Sequence, residues 1–551
     1  MRFLLLLAAV QLWMSSVSAQ APGDLVKTHG IHSPIHKANI GRIVFTDREI
    51  PPADLTAGDF LRHYVLTNKS ELFITAFMGN SLTNELHRMA PGWTADSLTK
   101  NGGYQLALFV DGKLVYKSNI QGAPYPIVKD TETALSKPLI RNEGGWWSQY
   151  FWLRFMNNGG DSALTEGEHL LRLEIRPYLR EKTVAPETEG ALLAAGDLPM
   201  MVYRKPVIDV SRITLSAVQP YNGLEVSNSP YDTNKMKMLR GLIEAGVFKQ
   251  ISSIVVIKNG KILVEEYFNG ETRNTLHDPR SAGKSIASSV TGMAIRDGYL
   301  KSEDQTLKEF YHLQDYAHYD PEKENVRLKD LLTMCSAFDG DDGDGGSPGN
   351  EDNMYPTDNW VKFTLDLPLS QTRPRGRWHY FTAGAMLMGD ILNKSVQGGL
   401  DAYADLKLFA PLGIREYQWQ YTPNHVANTA GGIQLKALDF AKYGLLYKNG
   451  GVWNGQQVLP AAWIAKTFTK YHAIPGRVNE YYGYLFWNKT YHVGLTAYET
   501  WYAAGNGGNK IFIFPSAPLV VVLTATAYGQ PYAHTQEDRM MEEYILPAVL
   551  Q

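Results

Sequence analysis

The chain has 551 residues, 44% of them apolar and 20% charged, with a formal net charge of −3. That composition excludes a mostly disordered or fibrous chain, and so small and unsegregated a charge offers no basic face for nucleic acid. At about 150 residues per domain, the length allows three or four domains of average size.

The first residues read as an export leader. Arg2 supplies a positive start, Phe3 to Val10 an apolar run, and Val17-Ser18-Ala19 a small-residue cleavage signal. The run is too short and too broken to span a bilayer, and no later stretch approaches the roughly 20 apolar residues a spanning helix needs. The expectation is a signal peptide over 1–19, cleaved near Ala19–Gln20, and a secreted or periplasmic protein with no stable membrane span. The single cysteine, Cys335, has no partner for a disulfide within the chain. Its setting, Leu331-Leu332-Thr333-Met334, predicts a buried small hydrophobe rather than a nucleophile.

Residues 20–216 read as a β-rich accessory domain. Tyr104 to Lys117 is two strand-like runs around Asp111-Gly112, a hairpin signal. His169 to Arg176 alternates apolar and charged, as a half-buried strand does. Trp147 and Phe151-Trp152 supply core aromatics, and no long amphipathic helix is evident. The pattern predicts a sandwich-like fold.

The pattern changes over 217–551. Asn222 to Asn234 is turn-rich and Lys235 to Ala245 is helical in period. Ser253 to Phe268 predicts a hairpin turned at Asn259-Gly260. Helical patterns follow. Then Lys510 to Phe514 and Leu519 to Thr524 form a third hairpin, and a helix covers Gln536 to Leu546. Strands at both ends with helices between give an α+β domain whose antiparallel sheet joins the two ends.

Within it, Ser281-Ala282-Gly283-Lys284 has the S-x-x-K spacing. On a helix, positions i and i+3 share a face. A lysine held there and desolvated loses its proton more easily, and a neutral amine can then take the proton of the serine. Spacing alone fits equally a helix-capping serine beside a solvated lysine. The residues behind it narrow the choice: Ile286, Val290 and Met293 recur at helical period among small residues, which predicts a buried helix ending near Gly298. Ser97-Leu98-Thr99-Lys100 shares the spacing, but Asn101-Gly102-Gly103 follows at once and predicts a surface loop.

Arg280 to Leu300 resembles the nucleophile helix of the serine β-lactamase and penicillin-binding-protein superfamily, nearest its class C, esterase and aminohexanoate-oligomer hydrolase branch. Three further segments support the resemblance in the family's order. Leu328 to Met334 is similar to its D-L-L-T segment, Tyr380-Phe381-Thr382 to its Y-x-N/S motif, and Ala503 to Asn509 to the Gly-rich motif expected to open the strand beside the site. The resemblance covers about 225 to 551. It implies a β-lactamase-like fold with Ser281, Lys284 and Tyr380 as catalytic residues, and an oxyanion hole of the Ser281 and Asn506 N–H groups. Thr382, Gly505 and Gly507 would contact substrate. It implies no cofactor and no metal. The substrate would be a small-molecule or peptide-like ester or amide. Ala503 stands where β-lactamases usually carry a carboxylate-pairing lysine, which favours an esterase or amidase. A β-lactamase, a D-Ala-D-Ala carboxypeptidase-like enzyme and a non-catalytic penicillin-binding-like protein are the alternatives.

Two other features stand near these motifs. Asp339, Asp341, Asp342 and Asp344 lack the EF-hand spacing and predict a solvated loop at the site rim. His379 and His492 have no metal-ligand partner at suitable spacing and predict structural or substrate-lining roles.

Overall fold

A computed structural model describes residues 30–120, 132–141, 145–180 and 188–550. The leader segment lies outside the described residues. Two compact units divide the chain, Met1–Pro206 and Val207–Gln551, so the division precedes Val207 rather than following Ser216.

In the first unit, the Asp111-Gly112 hairpin forms as its residues dictate. Strands β4 (Gly102–Val110) and β5 (Lys113–Asn119) pair antiparallel, and both turn residues have positive φ, +50° and +79°. This is the turn whose twist matches that of the strands. The remaining long strands are β1 (Arg42–Thr46), β3 (Leu72–Phe77), β6 (Ala134–Ile140), β7 (Gly167–Leu179) and β9 (Ala194–Val202). Short β2 (Tyr64–Leu66) pairs with β9, and short β8 (Thr188–Glu189) with β7. All nine join one sheet, ordered β5-β4-β7-β9-β1-β3-β6. Inward residues from both ends of that order, such as Leu106 and Leu139, share one core with Phe151 and Trp152. The β-rich unit is thus built from one hydrogen-bonded sheet with a shared core.

Two helices here correct the sequence reading. Ser81 caps α1 (Leu82–Met89) and Thr94 caps α2 (Ala95–Asn101), each side-chain oxygen accepting a backbone N–H of the first turn. Ser97 thus lies on a helix, not in a loop. Gly102 and Gly103 do not break that helix; they open β4. A Cβ on Gly102 would press into Leu86 of α1, so the glycine is there for close packing.

The second unit has three layers. Helix α3 (Thr233–Glu244) precedes the hairpin of β10 (Ile251–Lys258) and β11 (Lys261–Tyr267), turned at Asn259-Gly260 with positive φ at both. Helices α4 (Lys284–Arg296), α5 (Thr382–Ser395) and α6 (Ala437–Lys448) follow. The chain then returns to the sheet through β12 (His472–Ala473), β13 (Tyr481–Tyr482), β14 (Trp487–Val493), β15 (Thr496–Gly505), β16 (Asn509–Phe514) and β17 (Leu519–Ala525). The order β11-β10-β17-β16-β15-β14-β13-β12 pairs the two ends of the domain where β10 meets β17. Alternation along the strands feeds two cores. Val255, Ile257, Val520 and Val522 face the core of α4 to α6. Ile254, Val256, Val521 and Leu523 face α3 and the C-terminal helical stretch over 533–549. A sheet covered on both faces reads as continuous apolar runs, as β10 and β17 do. Cys335 is buried in this unit, and burial pushes its thiol up to about 12, which leaves it inert. Among the described residues, no helix is long and apolar enough to cross a membrane.

Candidate active site

Ser281 sits in a single tight turn, Arg280–Gly283, that leads directly into α4. Arg280 has φ +51°, a left-handed conformation that costs about 1–2 kcal/mol for a side chain with a Cβ. Neighbours hold it there. Asp278 accepts the Arg280 N–H at 2.9 Å, and the guanidinium lies 4.5 Å from the Tyr528 ring centre. Two glycines press on the turn from outside. A Cβ on Gly431 would run into the Arg280 carbonyl, and one on Gly505 into the Pro279 carbonyl. Only glycine permits that approach.

Lys284, one turn on, is 1% exposed. Its Nζ lies 2.6 Å from Ser281 Oγ and donates to the Ala430 carbonyl at 2.8 Å. Burial pulls its pKa down to about 8, with smaller opposing contributions from Glu351 and Asp342. About a tenth is thus neutral at pH 7 and half at pH 8, and in that form the 2.6 Å contact runs with serine as donor. The Ala430 carbonyl is fixed in turn. Asn428 Oδ1 accepts the Ala430 N–H at 2.8 Å, and Thr429 Oγ1 donates to the Ala385 carbonyl of α5 at 2.8 Å.

Tyr380 stands just before α5. Its ring lies 5.3 Å from Lys284 Nζ and stacks on Trp487 at 5.7 Å. Burial raises the phenol pKa, and a hydrogen bond with Ser281 opposes this, so the group stays protonated and can donate. Trp378 packs against Tyr380, Tyr482 and Trp487, completing an aromatic wall.

Ser281, Trp378, Tyr380 and Trp487 line one cleft of about 890 Å³ with Ala504, Gly505 and Asn506, and Lys284 lies buried against Ser281 behind that wall. The Gly-rich segment closes β15 rather than opening a strand, and β16 starts only at Asn509. Ser281, Lys284, Tyr380, Gly505 and Asn506 are therefore brought together. Thr382 and Gly507 are not among the cleft residues. Thr382 is fully buried at the start of α5, where its N–H donates to Asp342 at 2.7 Å. Gly507, at φ +88°, packs on the Tyr528 ring. Ala503 is buried and uncharged, as the sequence indicates.

His379 lines the cleft, is buried and is held below its usual pKa by that burial, whereas His492 is exposed on β14. The acidic loop is solvated only over 343–346, Asp344 included, and is partly buried at Asp339, Asp341 and Asp342. Asp341 and Asp342 line the cleft, Asp339 pairs with Arg373 at 2.8 Å, and Asp342 accepts the N–H of Glu351 at 2.9 Å. Sequence reasoning also missed Glu351, Arg377, Arg477 and the Ala430 carbonyl. Glu351 opens a short helix and Arg477 comes from a loop, neither within a motif, Arg377 flanks the tyrosine motif without belonging to it, and a carbonyl leaves no trace in residue identity. Arg373 and Arg477 each pair with carboxylates, while Arg377 donates to the Thr372 carbonyl.

The model of the Beta-lactamase family matches residues 239–544. Among solved structures, a protein described as a 6-aminohexanoate-dimer hydrolase from Bacillus anthracis is 17% identical, with 60% of this chain and 87% of that one covered and a TM-score of 0.47. A protein described as a beta-lactamase from Bacteroides dorei DSM 17855 is 18% identical, covering 58% and 100%, with a TM-score of 0.48. EstCE1, a hydrolase with promiscuous acyltransferase activity, is 14% identical, covering 55% and 96%, with a TM-score of 0.46. No curated protein matches the chain.

Proposed function

Because the chain belongs to the beta-lactamase family, we propose that it is a serine hydrolase that cleaves an ester or amide through an acyl-enzyme on Ser281. The observation that carries this reading is the buried Lys284 amine 2.6 Å from the Ser281 hydroxyl. Neutral Lys284 takes the Ser281 proton as Oγ attacks the substrate carbonyl carbon. The N–H groups of Ser281 and Asn506 receive the developing oxyanion. Tyr380 protonates the leaving alcohol or amine and regains its proton from the Lys284 ammonium. Water then attacks the acyl ester, the same pair moves its proton, and the acid leaves with Ser281 restored.

The cleft favours a substrate without a carboxylate beside the scissile bond. Ala503 supplies no cation at the position beside the nucleophile, and of the cleft arginines Arg373 and Arg477 are already paired with carboxylates. The leader over 1–19 supports an exported enzyme with a mature start at Gln20, and the β-rich first unit serves as an accessory module. Intact-mass measurement after fluorophosphonate treatment tests the nucleophile: one adduct is expected, absent in Ser281→Ala, and an adduct that survives that substitution overturns the reading. A panel of p-nitrophenyl esters, D-amino-acid amides, linear amides and nitrocefin tests the substrate class, with nitrocefin expected to be poorest.

A further inference from the structure

The proton relay uses Ser281, Lys284 and Tyr380 and leaves one carboxylate of the cleft without a task. Asp342 Oδ2 accepts the Thr382 N–H at 2.7 Å, and its Oδ1 accepts the Glu351 N–H at 2.9 Å. Its own N–H donates to the Tyr380 carbonyl at 2.9 Å. The chain is thus gripped at Tyr380 and again two residues later, on both sides of Phe381.

The grip is itself stiff. Ser347 Oγ accepts the Asp341 N–H at 2.9 Å, and Asn350 Nδ2 donates to the carbonyls of Asp342 and Asp344 at 3.3 and 3.2 Å. Arg373 ties down Asp339 and Asp341. Gly340 seats the Phe381 ring so closely that a Cβ would strike it. A loop that only solvates its charges needs none of these bonds. A short stretch before a helix has two soft torsions per residue, so fixing both flanks fixes the Tyr380 backbone, and stacking on Trp487 then sets the ring.

We infer that Asp342 is a positioning residue for Tyr380, holding the phenol against Ser281 and Lys284 while protons move; this rests on the acyl-enzyme reading above. The carboxylates acting on Lys284 are Asp342 and Glu351, and Tyr380 faces it from the start of α5. Removing the Asp342 charge therefore eases loss of the Lys284 proton.

The test is steady-state hydrolysis of p-nitrophenyl acetate by the full chain from pH 6 to 10, with folding followed by near-UV circular dichroism. Asp342→Asn is expected to lower kcat by about tenfold to a hundredfold, the scale of a small misplacement at a reacting group. KM should change little, and the rising limb of the pH profile should move to lower pH. Thr382→Pro removes one N–H donor at a helix position that tolerates proline. It should lower kcat and leave the limb in place, because the charge remains. A folded Asp342→Asn with the wild-type kcat and limb overturns the inference. If that variant does not fold, an unchanged kcat in Thr382→Pro does so. A wild type without Ser281-dependent turnover overturns the hydrolase reading and this inference with it.

Discussion

Two segments of the chain share one spacing and meet different fates. Ser97 and Lys100 lie on α2 of the first unit; Ser281 and Lys284 lie at the start of α4 in the second. Both serines have a lysine three residues on. In α2, the Ser97 N–H and Oγ are engaged by Thr94 at 3.3 and 3.1 Å, and Lys100 is exposed to solvent. In α4, the serine is uncapped, the lysine is sealed under a helix buried from Lys284 to Ala294, and a carbonyl holds its amine. Spacing sets which side chains meet. Burial decides whether the amine can work as a base, because only desolvation brings it down to about 8.

The sharpest test of that contrast swaps nothing but the two serines. Ser281→Ala should cut turnover of a p-nitrophenyl ester by about 10⁴-fold or more, whereas Ser97→Ala should leave kcat/KM unchanged. Equal losses would break the comparison.

Lys284→Met should lower kcat by about 10²- to 10⁴-fold, the usual contribution of a positioned base. The same variant should gain stability at pH 7. The unfolded lysine titrates at 10.5 and the folded one at about 8, so its destabilising effect is complete below pH 8 and fades as pH rises to 10.5. The upper bound is about 3 kcal/mol, offset by the lost bonds to Ser281 and Ala430. Urea denaturation at pH 7 and pH 10 reads the difference, and a variant less stable at pH 7 than wild type would count against a desolvated amine.

Gly505→Ala tests the clamp on the nucleophile. Its Cβ would displace the Pro279 carbonyl, and a loss of about 1–3 kcal/mol in stability with about a hundredfold fall in kcat is expected. In wild type, kcat/KM should rise with pH to a half-maximum near 8, since the neutral form of Lys284 is the active one. A profile flat from pH 6 to 10 would remove that amine from the mechanism. The smallest effect belongs to the first unit. Gly112→Ala, at φ +79°, should cost about 1 kcal/mol of stability and nothing in ester hydrolysis.

Local chemistry explains what could be read from the residues. Asp111-Gly112 and Asn259-Gly260 accept positive φ cheaply, so both hairpins are written in two residues each. The period of Ile286, Val290 and Met293 likewise announces α4. The misses depend on distant partners. Gly102 and Gly103 resemble helix breakers until Leu86 of α1 is seen against the first and Ile120 and Tyr178 against the second. Asp342 looks like one charge among four until Thr382 and Glu351 close on it. The motif puts Thr382 beside Tyr380 in sequence, yet as the first residue of α5 it is fully buried.

The lone cysteine gives this architecture a built-in reporter of unfolding. The Cys335 carbonyl accepts the Gly376 N–H, and the adjoining Met334 carbonyl accepts the His379 N–H at 3.2 Å, so the backbone around the thiol is tied to the segment that leads to Tyr380. The sulfur is sealed in the folded chain and freed when the domain opens. With one thiol in 551 residues, its alkylation counts opened chains without any engineered label.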